Sequence, residues 1–229
     1  MGYTKFVHSF LEDSADTSPD TKALFALGIW HTYRELNARA NRLAHLLQDR
    51  GLKKGDRVAL FIENSAEYVV SYYAALKAGG TTVALNTENT AEDIAYIVRD
   101  CGVRFLIAGQ RLAARTWASA PGNPLIPPAA PDTGPEAVFI WNGPKDAVPI
   151  LMGRPVIGLP EALDGRPGDS PDVRSIDLDV ASIVYTSGST GKPRGAVLTH
   201  LNIVSNTRSI VDYLELTRDD RRLAVLPVH

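Results

Sequence analysis

The sequence predicts an α/β fold, a layered parallel sheet with flanking helices. Two observations carry that expectation. Runs of about six residues that are apolar almost throughout suit strands buried on both faces. They alternate with stretches of a dozen or more residues at helical period, the pattern of parallel strands joined by crossover helices. The composition agrees, since 229 residues, 45% hydrophobic and 22% charged, suit a globular chain with one large core or two modest ones.

Thr32, Tyr33, Arg34 and Glu35 have the spacing of a capping box, and Leu36, Ala40, Leu43 and Leu47 follow at helical spacing until Gly51 offers a C-cap. A helix is predicted over 33–50. After a Lys-Lys-Gly-Asp turn, 57–62 is a short apolar run of strand length. Asn64 or Ser65 then caps a helix carrying Tyr68, Val69, Tyr72 and Leu76 up to Gly79 and Gly80, and 81–85 is the next strand. The tyrosines read as helix packing rather than a base-stacking platform. Thr90 with Asp93 resembles a capping box and opens a helix to Cys101; Gly102 ends it, and 103–108 is a third strand. No strand-to-helix turn has the G-x-G-x-x-G pattern, so the dinucleotide-binding version of this architecture lacks support.

Composition changes after Gln110. Of the 15 prolines, 12 lie between Pro121 and Pro171, with seven of the 18 glycines, which excludes long regular elements there. Short strands are predicted at 138–141 and 156–159 within a meandering connection packed on the sheet edge. The chain thus divides into a βα subdomain over 1–110, a Pro/Gly-rich connection over 111–178, and a chemistry-bearing segment over 179–229.

In that last segment an apolar strand, 181–185, runs into Thr186, Ser187, Gly188, Ser189, Thr190, Gly191 and Lys192. Hydroxyls, glycines and a lysine in succession suit phosphate: glycines let backbone N–H groups converge on an anion, hydroxyls donate further hydrogen bonds, and lysine adds a compact positive charge. The spacing is not that of a Walker A loop, because Gly188 and Gly191 enclose only two residues and Pro193 follows Lys192. Proline disfavours helical geometry at the residue before it, so a strand, loop, strand arrangement is predicted, with 195–198 returning and a helix over 202–214.

The run YTSGSTGKPRG at 185–195, with Thr199, His200, Leu201 and Asn202 after it, resembles the signature loop of adenylate-forming (AMP-binding) enzymes: acyl-CoA synthetases, peptide-synthetase adenylation domains and luciferases. Arg194 stands where that family usually has lysine. The segments 32–80 and 84–107 resemble the family's opening subdomain, so the chain looks like the N-terminal portion of its large domain. The resemblance implies that a carboxylate attacks the α-phosphorus of ATP, pyrophosphate leaves, and a thiol, commonly of coenzyme A, takes the acyl group. Residues 186–192 would then hold the β and γ phosphates with Mg²⁺, and Lys192 would be an electrostatic contact. The family's catalytic lysine belongs to a separate C-terminal domain, so the resemblance assigns no catalytic residue to this chain. His229, at the end of a strand beginning near Leu223, resembles a residue bordering the acyl pocket. Asn86 leans toward acyl-CoA ligases, whereas the Gly-Ser-Thr-Gly spelling of the loop is common in peptide-synthetase domains.

Several function classes are disfavoured. Twenty-four basic against 26 acidic residues give no strong field for nucleic acid. Cys101 is the lone cysteine, which leans toward a reducing compartment, and no signal peptide or membrane-spanning run is seen, so a cytoplasmic location is expected. His8, His31 and His45 lack ligand-spaced partners and read as solvated or capping residues; His200 is expected to orient the return strand, and 218–222 to be a solvated turn. Because the family's later motifs are missing, the chain alone is expected not to form acyl-adenylate at a useful rate. Its cut sheet should leave an unpaired edge and apolar faces for the rest of the domain, or another chain, to cover. The alternatives are a peptide-synthetase adenylation domain, or a non-catalytic nucleotide-binding or interaction module.

Overall fold

A computed structural model describes residues 6–117, 134–142, 150–151, 154–186 and 193–224. The chain opens with α1 (Ser9–Thr17), a hairpin of β1 (Lys22–Ala26) and β2 (Ile29–Thr32), and α2 (Tyr33–Asp49). Then come β3 (Arg57–Phe61), α3 (Ala66–Lys77), β4 (Thr81–Ala84), α4 (Ala91–Asp100), β5 (Val103–Gly109) and α5 (Gln110–Trp117). The Pro/Gly-rich region supplies β6 (Ala137–Trp141), β7 (Ile150–Leu151), β8 (Arg154–Gly158) and the short α6 (Leu159–Ala162), and the chain continues through β9 (Val180–Thr186), β10 (Arg194–Thr199) and α7 (His200–Tyr213).

Among the described residues the main sheet has the order β10-β9-β4-β3-β5-β6-β8-β7. Its six inner strands pair in parallel, and each edge strand, β10 and β7, pairs antiparallel. The alternation of side chains across a pleated strand sends successive β3 residues to opposite cores. Val58 and Leu60 pack with Leu43, Leu47 and Val70 of α2 and α3, whereas Ala59 and Phe61 pack with Ile94, Ile97 and Leu112 of α4 and α5. Both faces of β3 and β5 are therefore sealed, as the continuous apolar runs foretold.

The caps explain where the helices start. Thr32 and Glu35, and Thr90 and Asp93, form reciprocal capping boxes, and Ser65 accepts the Tyr68 N–H. A glycine at 79 lets the chain adopt a left-handed turn, φ +84°, where α3 ends. The predicted helix over 202–214 begins at His200, because Thr199 and Asn202 form a third box with asparagine in place of glutamate.

The Pro/Gly-rich region corrects one expectation. It is not an edge-packed meander: β6 and β8 join the sheet in parallel, next to β5, and the second ends at Gly158, with Leu159 and Pro160 starting α6. Pro155 lies in β8, close to the sheet edge, where a missing N–H is tolerated. The buried Trp141 ends β6, its indole N–H donating to Ser71 Oγ at 2.8 Å. Helices α1 and α5 and the β1–β2 hairpin were not foreseen; α1 buries only Leu11, too weak a stripe for periodicity to register.

Candidate phosphate-binding site

Strand β9 runs alongside β4 with Thr82 opposite Ser182, Val83 opposite Ile183 and Ala84 opposite Val184. It ends at the exposed Thr186, at the carboxyl edge of the parallel strands, where open α/β sheets take their ligands. Strand β10 returns antiparallel, with Arg194 opposite Thr186 and Gly195 opposite Tyr185. The predicted strand, loop, strand arrangement thus stands at both stems. Ser187, Gly188, Ser189, Thr190, Gly191 and Lys192 lie outside the described residues, as does His229.

Directional contacts fix the start of β9. The Thr81 hydroxyl donates to the Val180 carbonyl at 2.8 Å and the Thr82 hydroxyl to that of Ala181 at 3.0 Å. Asp179 accepts the Ile176 N–H at 2.7 Å and pairs with Lys54 at 2.7 Å. Partial burial works against its charge, but the Lys54 ammonium and the Ile176 N–H prevail and hold its carboxyl below the usual range.

At the other end of β9, Tyr185 donates to Asp100 Oδ2 at 2.6 Å. Burial, then that carboxylate, keeps the phenol protonated far beyond its ordinary range. The neighbouring Cys101 donates to the Ile97 carbonyl at 3.1 Å, and burial raises its thiol pKa, which disfavours the reactive thiolate. Along the same carboxyl edge, Asn86 Oδ1 accepts the Glu88 N–H at 2.8 Å, Arg115 pairs with Glu88 at 3.7 Å, and Arg111 pairs with Glu63 at 3.1 Å. Among the described residues no group of three or more His, Cys, Asp or Glu converges to hold a metal.

The histidines depart from expectation. His200 follows the far end of β10, about 20 Å along the strand from the loop, and its buried Nδ1 accepts the Val7 N–H at 3.1 Å. It anchors the N-terminal segment rather than orienting the return strand. His8 is not solvated: its ring stacks on Phe6 and meets His200 edge-on, with centroids 5.3 and 5.6 Å apart. Burial, chiefly, lowers it to about 4. His45 is half-buried, with Nε2 3.0 Å from the Asp169 carbonyl. Beside this cluster Lys77, its side chain 1% exposed, pairs with Glu12 and reaches Ser170 Oγ at 3.4 Å; burial lowers its pKa against the pull of Glu12.

Residues the sequence reading passed over are Asp100, Tyr96 and Lys77. Asp100 carried a signal, since an acid in the last turn of a helix opposes the macrodipole and needs another reason to be there.

Comparison with known proteins agrees with this geometry. The chain is 33% identical over 220 residues to the long-chain-fatty-acid–CoA ligase FadD13 of Mycobacterium tuberculosis, covering 95% of this chain and 40% of that protein. It is 35% identical over 217 residues to the phosphinothricin tripeptide synthetase PhsC of Streptomyces viridochromogenes, covering 95% and 17%. The ATP-bound crystal structure of MatB from Rhodopseudomonas palustris superposes with a TM-score of 0.77 at 32% identity, over 98% of this chain and 40% of that one. The chain therefore spans well under half the length of these relatives. A family model for AMP-binding enzymes matches residues 11–229, nearly the whole chain, and with the fold and the hairpin in agreement the protein belongs to the AMP-binding, adenylate-forming enzyme family.

Proposed function

We propose that this chain supplies the phosphate-binding portion of an ATP-dependent acyl-CoA ligase. In the first step a carboxylate oxygen bonds to the α-phosphorus of ATP, the bond from that phosphorus to the bridging oxygen breaks, and pyrophosphate departs. In the second the coenzyme A thiol, losing its proton, bonds to the acyl carbon and AMP leaves. The observation that carries this reading is a hydroxyl, glycine and lysine sequence joining β9 to β10, whose stems at Thr186 and Arg194 stand at the carboxyl edge of a parallel sheet.

Thr186, Ser187, Ser189 and Thr190 would donate hydroxyl hydrogen bonds to the β and γ phosphates, Gly188 and Gly191 backbone N–H groups, and Lys192 charge. Their work is to fix the leaving pyrophosphate in line and offset its developing charge. Mg²⁺ would be held together with the phosphates by residues 186–192 and would supply positive charge that offsets the triphosphate. His229 would border the acyl pocket. We assign the reaction to the cytoplasm, on the balanced charge and lone thiol. No described helix is long and apolar enough to cross a membrane. The apolar outer side of α7 and β10 is read as covered by the rest of the domain or another chain.

The test is a chimera in which this chain replaces the matching portion of FadD13, assayed for acid-dependent pyrophosphate release with fatty, aromatic and amino acids. Release with fatty or aromatic acids, followed by coenzyme A thioester, supports the ligase. Release with amino acids alone supports the second reading, a peptide-synthetase adenylation domain, which the 35% identity to PhsC favours. ATP binding without release in any chimera supports a nucleotide-binding module. The chain by itself is expected to give no acid-dependent pyrophosphate exchange.

A further inference from the structure

We propose that Tyr185 and Asp100, assisted by Tyr96 and by the absence of a side chain at Gly195, are positioning residues that hold both stems of the phosphate-binding hairpin on helix α4. The inference rests on the phosphate-binding reading above and adds what sets the hairpin in place.

Tyr185 is the last residue of β9 before Thr186, and Pro193 is the first residue after Lys192. Both reach the same helix. The Tyr185 hydroxyl donates to Asp100 Oδ2 at 2.6 Å. One turn earlier on α4, the Tyr96 hydroxyl stands 3.5 Å from the Pro193 carbonyl and 3.5 Å from Asp100 Oδ1. One carboxylate at the end of α4 therefore faces phenols that touch the outgoing and the returning stem.

Gly195 sits directly opposite Tyr185 in the antiparallel register. A Cβ there would stand 3.2 Å from Tyr185 Cζ, 3.3 Å from Cε2 and 2.9 Å from Ile183 Cγ2. Its φ lies outside the left-handed region, so the glycine serves close approach rather than a turn. The ring lies across the bare backbone and carries its hydroxyl to Asp100.

The support is rigid. Helix α4 is fixed by the Thr90–Asp93 box at one end and by Ile94, Ile97 and Val98 buried in the core. The hairpin's other side offers little, with residues 194–197 of β10 exposed. A neutral phenol donating to a carboxylate is a charge-assisted hydrogen bond, strong enough to hold one strand end. Such a pair acts on phosphate affinity through the loop, without touching the nucleotide.

The experiment titrates the 229-residue chain, wild type and Tyr185→Phe, Asp100→Asn, Asp100→Ala and Gly195→Ala, with Mg·ATP and with AMP. Hydrogen exchange of β9 and β10 amides is followed in the absence of nucleotide. The expected result is about tenfold weaker ATP binding for Tyr185→Phe and Asp100→Ala, with AMP affinity unchanged and faster exchange in the two strands. Asp100→Asn, which keeps an acceptor oxygen, should retain most of the affinity, and Tyr185→Phe/Asp100→Ala should be no weaker than either single variant. ATP affinity equal to wild type in Tyr185→Phe and Asp100→Ala overturns the positioning role and leaves the phosphate reading intact. So does a lower melting temperature with unchanged ATP-to-AMP preference. A wild-type chain that does not prefer ATP to AMP overturns the phosphate reading and this inference together.

Discussion

The two flanks of β4 are held by different forces. On one side, β3 and β5 are enclosed by helices on both faces, and Leu60, Phe61, Phe105 and Leu106 have almost no exposed surface. On the other, β9 and β10 carry the stems of the proposed phosphate-binding loop, while Val197 is 58% exposed and Tyr213 of α7 is 86% exposed. Burial positions the first flank without needing any particular hydrogen bond. The second depends on directional contacts from Thr81, Thr82, Lys54 and Asp100, each of which one substitution removes. Stability and the proposed binding chemistry thus rest on different parts of the chain.

That separation can be broken by mutation. Phe105→Ala or Leu60→Ala, deep in the enclosed flank, should cost about 3–5 kcal/mol and leave little folded protein, as read by urea melts. If either cost no more than a surface change, the enclosed flank would not be the stabilising one. Removing Glu12 should come next, because it strands the buried Lys77 ammonium. Glu12→Ala is expected to cost about 3 kcal/mol, as when a buried pair loses one partner. Lys77→Met in that background should recover most of the loss.

Acid sharpens the same contrast, since His8 and His200 stand beside the flank that carries β9. Both are held below the ordinary imidazole range by burial, with Glu12 opposing at His8 while His200 and Lys77 reinforce, and Asp179 opposing at His200. The unfolded chain takes up protons near pH 6.5, whereas folded His8 does so only at about 4. Stability is therefore full above 6.5 and is lost as pH falls through that window. Melts at pH 7.5 and 4.5 should differ, and His8→Gln/His200→Gln should reduce the difference. The smallest effect is expected on the open side, where Val197→Ser should shift stability by under about 0.5 kcal/mol.

How much of this was legible in the sequence follows the same division. Strands 57–62, 81–85 and 103–108 were readable because strands buried on both faces are apolar at every position, and their helices because Thr32, Ser65 and Thr90 are capping residues. Strand β6 was found within the Pro/Gly-rich region, but its place in the sheet was not, since pairing depends on residues far apart in the chain. Local periodicity also missed α1, whose contacts are tertiary: Leu11 in the core beside α2, and Glu12 to Lys77. At the site, the residue types that suggest phosphate binding were visible in 186–192, and the register of the stems was not. The need for glycine at 195 appears only when Tyr185 lies opposite it.

The central claim is that the hairpin between β9 and β10 grips the outer phosphates of ATP. Calorimetric titration of the chain with Mg·ATP and with AMP, repeated on Lys192→Ala, tests it most directly. The account predicts at least about tenfold tighter binding of ATP than of AMP, consistent with charge-assisted contacts to the outer phosphates, and loss of most of that preference in Lys192→Ala. Equal affinity for ATP and AMP, or an undiminished preference without Lys192, would contradict it.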